Sequence, residues 1–189
     1  MRLQHYANIP IPIPANVPPN VVLAFIQTFV PTLKHNDCVN SFEEIPSDPN
    51  LADDAIFGPW NDTARTYQIH EITQLAPGIS AQARWPVVFQ CTPEGIRARA
   101  INSRVGTTVW ATWTVRPRVS VASPANSEST TSSATVVAEE WELFDEIIIE
   151  CHRLMMPFTA PYARKIHHDI TQRIIDEITK SYFDGTLFQ

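Results

Sequence analysis

The sequence predicts an α+β fold in which a curved antiparallel sheet of seven strands wraps around one long C-terminal helix. Between residues 63 and 115, apolar and polar residues alternate in successive segments that are separated by turn sequences such as Pro77-Gly78. This spacing is typical of an antiparallel meander. After Pro157 the apolar period changes from two residues to about 3.6, which indicates a helix. Residues 1–189 are predicted to form a single domain, because this length suffices for one hydrophobic core.

The N-terminal third predicts an edge strand, a helix and a second strand. Leu3–Ile9 is the edge strand, because prolines occupy alternate positions after it and proline donates no hydrogen bond to a sheet. Apolar residues then recur at helical spacing over Pro19–Val30, and Pro31 ends this predicted helix. Val39–Ile45 is the second predicted strand.

Five further strands follow, and each shows a two-residue alternation. They are Thr63–Leu75, Ile79–Cys91, Ile96–Ser103, Thr107–Val115 and Trp141–Leu154. In the last of them the odd positions are mainly apolar, and the even positions from residue 140 onwards carry Glu140, Glu142, Glu146 and Glu150, so one face is expected to be buried and the other wet. Residues 119–134, rich in serine and threonine, are predicted to form a mobile loop between strands.

The C-terminal helix is predicted over Ala160–Phe183, with Thr159 as its cap and Asp184-Gly185 at its end. Its length would be roughly 36 Å, enough to cross the concave face of the sheet. One apolar stripe follows the helical period, formed by Phe158, Tyr162, Ile166, Ile170, Ile174, Ile178 and Tyr182.

The order of these elements resembles that of START-like, or Bet v 1-like, helix-grip domains. Several local motifs are similar to a family of fungal proteins of unknown function with that fold, over about Ile9 to Ile178. The motifs are Pro10-Ile11-Pro12-Ile13-Pro14, Val21-Val22-Leu23-Ala24-Phe25, Tyr67-x-Ile69-x-Glu71, Leu75-x-Pro77-Gly78, Trp113, Cys151-x-x-x-Met155-x-x-Phe158, His168 and Arg173-Ile174. The resemblance implies a cavity between sheet and helix. The chain has Trp110 where the family pattern has an arginine, which implies a more aromatic cavity.

Composition excludes several classes of function. A net charge of -6 and few clustered basic residues argue against a nucleic-acid partner. The five glycines form neither a dinucleotide-binding nor a phosphate-binding loop, and no cofactor is predicted. The absence of a long apolar run predicts no membrane insertion. Three widely spaced cysteines suit a reducing compartment, so a cytoplasmic location is expected.

Asp145 is the first catalytic candidate, because the phase of the last strand places it with Leu143 and Ile147 on the inward face. Burial raises the pKa of a carboxyl group, which suits acid or base catalysis. The alternative is a bulge that shifts the phase and leaves Asp145 in solvent. His5 can face the same interior, either as a catalytic group or as a structural histidine.

Tyr67 and Glu71 complete the catalytic candidates. His70 and Glu71 are neighbours in a strand, so their side chains point to opposite faces of the sheet. Tyr67 and Glu71 share a face, and this favours Glu71 as the inward residue if Tyr67 lines the interior. The sequence leaves that choice open.

No metal site is predicted. His167 and His168 are adjacent on the helix, where their side chains diverge by about 100°, and neither has a ligand-type residue four positions away. We interpret both as part of a solvated helix face. Cys151 has no neighbouring base in the sequence, which argues against a nucleophilic role.

Large aromatic residues share strand faces with small alanines, a pattern that fits either ordinary core packing or the walls of a ligand cavity. The predicted ligand-binding residues are Trp85, Phe89, Trp113, Trp141, Ile147, Ile149, Ile166 and Ile170.

Two functions of different class fit these observations. The first is a cofactor-independent enzyme of fungal secondary metabolism that binds a hydrophobic terpenoid or polyketide and guides a cyclisation, an isomerisation or a pericyclic (Diels-Alder-type) closure. The second is a non-catalytic carrier of a lipid-like ligand. Titratable residues at inward positions favour the enzyme. The partner in either case is a hydrophobic small molecule, and the protein is a monomer or a homodimer.

Overall fold

A computed structural model of the chain describes residues 1–47, 54–76, 79–103, 106–118 and 140–186. The strands of these ranges form one antiparallel sheet in the spatial order β1-β7-β6-β5-β4-β3-β2. Their bounds are β1 (Arg2–Ile13), β2 (Val39–Ile45), β3 (Arg65–Ala76), β4 (Ile79–Thr92), β5 (Gly95–Asn102), β6 (Thr107–Pro117) and β7 (Trp141–His152). The predicted loop 119–134 and the predicted turn Pro77-Gly78 lie outside the described residues.

β1 lies at the edge of the sheet, as predicted, but it continues to Ile13 and does not end at Ile9. Pro10 lies opposite Phe144 of β7, and Pro12 lies opposite Glu142. Successive backbone N–H groups in a strand point to alternate sides, so prolines two residues apart lose only donors that would face away from β7. The prolines led us to end the strand at Ile9, but because they occupy alternate positions the strand continues through them to Ile13.

The first predicted helix is two helices, α1 (Pro19–Ile26) and α2 (Val30–Lys34). Phe29 separates them with a φ of 63°, a left-handed backbone conformation that no helix can contain. Its ring is buried and stacks on Phe89 of β4, with 5.4 Å between the ring centroids. Burial of this aromatic side chain stabilises the break in the helix.

The C-terminal helix, α3, spans Met156–Phe183 and begins four residues earlier than predicted. Pro157 lies in its first turn, where a missing N–H costs nothing. Thr159 is not the cap, because its hydroxyl donates to the carbonyl oxygen of Met155 at 3.0 Å from inside the helix. The predicted end is confirmed: Asp184 caps the helix, and Gly185 follows with a φ of 66°. Among the described residues, no helix is apolar over a length that could cross a bilayer.

The concave face of the sheet packs against α3. The pairing of β7 with β1 and with β6 runs without a shift in register, so its odd-numbered residues from Leu143 to Cys151 face one side and are fully buried. Ile174 and Ile178 of α3 pack in the same core and are fully buried too. Each such side chain contributes about 1.5–3 kcal/mol by leaving water. The core therefore fixes both the phase of β7 and the rotation of α3.

The convex face carries a smaller cluster of Phe57, Val88 and Trp110. The indole Nε1 of Trp110 donates to Asp54 Oδ1 at 3.0 Å. The guanidinium group of Arg97 lies 5.0 Å from the centroid of the Phe57 ring. Trp110 thus faces away from α3, and the expectation that it makes the interior more aromatic is wrong.

Candidate functional site

Asp145 lies in the middle of β7, opposite Ile9 of β1 and Trp113 of β6. Its side chain faces α3 and is 0% exposed, as the alternation of β7 predicts. The alternative of a bulge that turns Asp145 towards solvent is wrong, because the register on both sides of β7 is unbroken. A carboxyl group at this position is stable only with polar partners from α3.

His167 of α3 is the main partner of this carboxyl group. The His167 Nδ1 atom lies 2.8 Å from Asp145 Oδ2, and the side chain of His167 is 13% exposed. His167 was predicted to lie on a solvated face of the helix, and this is wrong. The prediction holds for His168, which is exposed and lies beside Asp169, with 3.6 Å between His168 Nδ1 and Asp169 Oδ1.

Two further side chains hold the pair in place. The hydroxyl of Thr171 donates to the carbonyl oxygen of His167 at 2.8 Å, and it lies 3.4 Å from Asp145 Oδ2. The indole Nε1 of Trp113 donates to this hydroxyl at 3.1 Å. The Trp113 ring also stacks on the His167 ring, at a centroid distance of 5.4 Å and an interplanar angle of 14°. The Asp145 carboxyl group and the Trp113 ring therefore together fix the plane of the imidazole ring.

Burial raises the pKa of Asp145, while the charge of His167 and the hydrogen bonds from His167 and Thr171 oppose the rise. Its second oxygen, Oδ1, is buried and has no hydrogen-bond partner within the described ranges. Because Nδ1 of His167 faces the carboxyl group, the nitrogen that remains for chemistry is Nε2. A histidine oriented by a carboxyl group in this way is an arrangement that acid–base catalysis can use.

The described residues contain no group of three His, Cys, Asp or Glu side chains that could hold a metal ion. Asp145 and His167 form a pair and not a larger set of ligands. A carboxyl group and a histidine at this distance can share or transfer a proton.

Tyr67 and Glu71 lie on the concave face, but they are not hydrogen-bond partners of Asp145 in the described part of the chain. Tyr67 is buried edge-on against Phe89, with ring centroids 6.0 Å apart, and burial raises its pKa. Glu71 accepts a hydrogen bond from Trp85 Nε1 at 3.0 Å. His70 contacts Glu43 on the other face, so Glu71 is the inward member of the pair.

His5 lies opposite Ile149 in β1, on the predicted face of the sheet. Its side chain is nevertheless exposed, whereas Ile149 is fully buried. The structure therefore does not bring His5 to Asp145, because β1 at this point extends beyond the cover that α3 provides.

The predicted ligand-binding residues fall into two groups. Five pack tightly in the core between sheet and helix, each at most 3% exposed: Phe89, Trp113, Ile147, Ile149 and Ile170. Trp85, Trp141 and Ile166 are half-buried at the margin of this core. Trp141 lines a separate recess of about 420 Å³, together with Pro14, Val17 and Arg118.

The apolar stripe of α3 is covered along only part of its length. Phe158 is 73% exposed and Tyr162 is 58% exposed, whereas Ile170 is 3% exposed and the stripe beyond it is buried as far as Ile178. Cys38 Sγ lies 3.2 Å from the Tyr162 hydroxyl oxygen, and this hydrogen bond together with burial raises the pKa of Tyr162 to about 12. The phenol therefore stays protonated. We call Tyr162, Ile166, Trp85 and Glu71 the open end of the site.

Residues 2–180 match the family described as a domain of unknown function (DUF7053). The chain belongs to this family. No curated protein matches the sequence of this DUF7053 domain.

Two solved structures resemble the DUF7053 domain over nearly its whole length. The Zhui aromatase/cyclase from Streptomyces sp. R1128 has a TM-score of 0.53 at 9% identity, and the match covers 96% of this chain and 95% of that one. A point mutant of norcoclaurine synthase from Thalictrum flavum has a TM-score of 0.50 at 9% identity, covering 94% and 98%. Identities this low establish the fold alone. The predicted helix-grip fold is confirmed.

Sequence reasoning missed His167 and Thr171 of the DUF7053 domain. A signal was available in the helical period, because His167 precedes Ile170 by three positions and Ile174 by seven, both on the buried stripe. The same 100° that separates His167 from His168 turns one of them towards the sheet. Comparison of His167 with the apolar stripe of α3, and not only with His168, predicts that His167 faces the sheet.

Proposed function

We propose that this DUF7053 domain is a cofactor-independent enzyme that moves a proton on a hydrophobic small molecule, with His167 as the acid–base group and Asp145 as its orienting partner. The observation that carries the proposal is the 2.8 Å contact between His167 Nδ1 and a fully buried carboxyl group. A surface histidine has no need of such a partner. Cyclisation and isomerisation are the reaction types that use proton transfer in this way.

The reaction step follows from the free nitrogen of the histidine. Nε2 of His167 accepts a proton from a C–H bond next to a carbonyl group of the ligand, and the electron pair of that bond passes into an enolate. The enolate carbon either attacks a second carbonyl carbon of the ligand, or the enolate takes the proton back from Nε2 at another carbon. In the first case the C=O π bond breaks as the ring bond forms, and the carbonyl oxygen takes the proton from Nε2. Asp145 stabilises the imidazolium that exists between the two transfers. A pericyclic closure needs shape alone and makes no use of this pair.

The open end of the site supports a hydrophobic ligand. Tyr162 and Ile166 continue the buried stripe of α3 into solvent, and apolar surface of this kind is stabilised when a ligand covers it. Ile166 directly precedes His167 in the helix. Because the stripe is buried from Ile170 to Ile178, we place the ligand against the open end and not deep under α3, which differs from the enclosed cavity that the sequence predicted.

Two further observations fit this proposal. Two structural neighbours with TM-scores of 0.50 and above are an aromatase/cyclase and a norcoclaurine synthase, so enzymes occur among proteins of this fold. Terpenoid or polyketide intermediates of fungal secondary metabolism are the ligands that we propose. The three free cysteines suit a cytoplasmic enzyme.

The second candidate is a carrier that binds the same ligand without chemistry. The partly covered stripe of α3 favours it, because an apolar face is all that a carrier requires. Exchange of a ketone's α-hydrogens in deuterated water separates the two functions. We propose 2-tetralone as the probe of exchange, followed by NMR, and 1-anilinonaphthalene-8-sulfonate as the fluorescent probe of binding.

An enzyme accelerates the exchange, and His167→Gln lowers the rate by about 10²–10⁴-fold while the binding probe keeps its affinity. The matched control is His168→Gln, which changes the exposed neighbour and keeps the rate. Exchange at the buffer rate with intact probe binding refutes the enzyme and supports the carrier. Equal rates in both variants refute the role of His167.

A further inference from the structure

The turn between β7 and α3 presents large apolar side chains to solvent. Leu154 is 67% exposed and Phe158 is 73% exposed, with Met155 between them at 45%. The backbone holds them together, since Phe158 N–H donates to the carbonyl oxygen of Met155 at 3.0 Å and Met155 N–H donates to that of His152 at 2.8 Å. Leu154 and Phe158 are four residues apart. We call Leu154, Met155 and Phe158 the apolar tip.

The chain segment that carries the apolar tip is basic, although the whole chain is acidic. The chain has a net charge of -6, yet residues 151–168 contain no aspartate or glutamate. Arg153, Arg164 and Lys165 lie in this segment and are exposed, and Lys165 pairs with Asp169 at 2.7 Å. The apolar tip therefore lies in a segment that has exposed basic side chains and no acidic ones.

We propose that the apolar tip docks on the surface of an anionic lipid bilayer. Apolar side chains at the tip enter the boundary between headgroups and acyl chains, and the basic side chains lie at the level of the anionic headgroups. The lipid surface fits better than an acidic protein, because the exposed leucine, methionine and phenylalanine have no groove of their own and a bilayer accepts them without a matching shape.

The contact is peripheral and reversible. Among the described residues no helix can span a bilayer, and three apolar side chains with three basic ones form a weak anchor. This docking does not depend on the proton transfer proposed for His167. It brings the first turns of α3 to a lipid surface, where a hydrophobic molecule dissolves.

Sedimentation with vesicles tests the proposal. The probes are vesicles of phosphatidylcholine with about 30% phosphatidylserine and vesicles of phosphatidylcholine alone, at low salt. The wild-type chain should sediment with the first and much less with the second, and added salt should release it. Phe158→Ser and Leu154→Ser should each weaken binding by about tenfold or more, because each removes one large apolar side chain.

Phe183→Ser is the matched control, since Phe183 is 57% exposed at the other end of the same helix. It should bind the anionic vesicles like the wild type. Docking is refuted if the wild type stays in solution with anionic vesicles, or if Phe158→Ser and Phe183→Ser bind equally. A wild-type dimer that Phe158→Ser dissociates, without any binding to vesicles, also refutes it and assigns the tip to a second copy of the chain.

Discussion

Replacement of His167 by alanine should destabilise the fold strongly at neutral pH and much less in acid. The change leaves the buried carboxyl group of Asp145 with Thr171 as its remaining hydrogen-bond partner among the described residues. Loss of one partner from a buried ion pair costs about 3–5 kcal/mol. The lost stacking on Trp113 adds about 1 kcal/mol.

The pH dependence has a defined sign. Burial raises the pKa of Asp145 above its ordinary 3.8, and His167 opposes the rise, so the variant raises it further. A carboxyl group with a raised folded-state pKa stabilises the fold fully below its unfolded-state pKa, and this stabilisation is lost as pH rises through the folded-state value. The penalty of His167→Ala should therefore grow between acid and neutral pH.

Urea unfolding at about pH 5 and about pH 7.5 measures this penalty. The double variant Asp145→Asn/His167→Ala is the matched control. It lacks the titrating carboxyl group, and like His167→Ala it lacks the stacking on Trp113. It should recover most of the stability at the higher pH and show little dependence on pH. A penalty that is equal at both pH values, or a double variant as unstable as His167→Ala, refutes the account of Asp145 as a buried charge held by His167.

Three further predictions concern other contacts. Trp113→Phe should slow the exchange of 2-tetralone by about tenfold or more, because it removes the hydrogen bond to Thr171. Trp110→Phe on the convex face should leave the exchange rate unchanged and lower the free energy of unfolding in urea by about 1–2 kcal/mol. Gly95→Ala should unfold the chain in circular dichroism, since the added Cβ would lie 1.8 Å from the carbonyl oxygen of Trp113. Burial alone would raise the pKa of Glu177, but hydrogen bonds from Lys34 and His35 together outweigh burial and lower it. Glu177→Gln should therefore lower the free energy of unfolding by about 0.5–1 kcal/mol at neutral pH and leave it unchanged well below pH 4.5.

The sequence predicts most of the sheet because alternation reports burial directly. In β7 the alternation gave the strand, its buried face and the inward position of Asp145. It did not give the length of β1, because a proline removes a donor without revealing to which side that donor would point. The break at Phe29 was also missed, since aromatic stacking on Phe89 overrides the local preference for a helix.

The candidate site was predicted in part for a related reason. Phase tells which face of the sheet a residue occupies but not how far the helix covers that face. Asp145 lies under α3 and His5 on the same face does not. His167 was assigned to solvent because it was compared with His168 and not with Ile170 and Ile174. Contacts between distant elements, such as Asp145 with His167, depend on the rotation of α3 against β7, which no local pattern reports.

The prolines of β1 also affect how copies of the chain meet. An exposed strand at the border of a sheet invites another chain to pair with it, and such pairing begins domain swapping and fibre growth. Pro10 and Pro12 remove the outward donors from the second half of β1, so a neighbouring strand finds only carbonyl acceptors there and cannot form a complete ladder. A homodimer of this protein therefore cannot extend the sheet through backbone donors at Pro10 and Pro12.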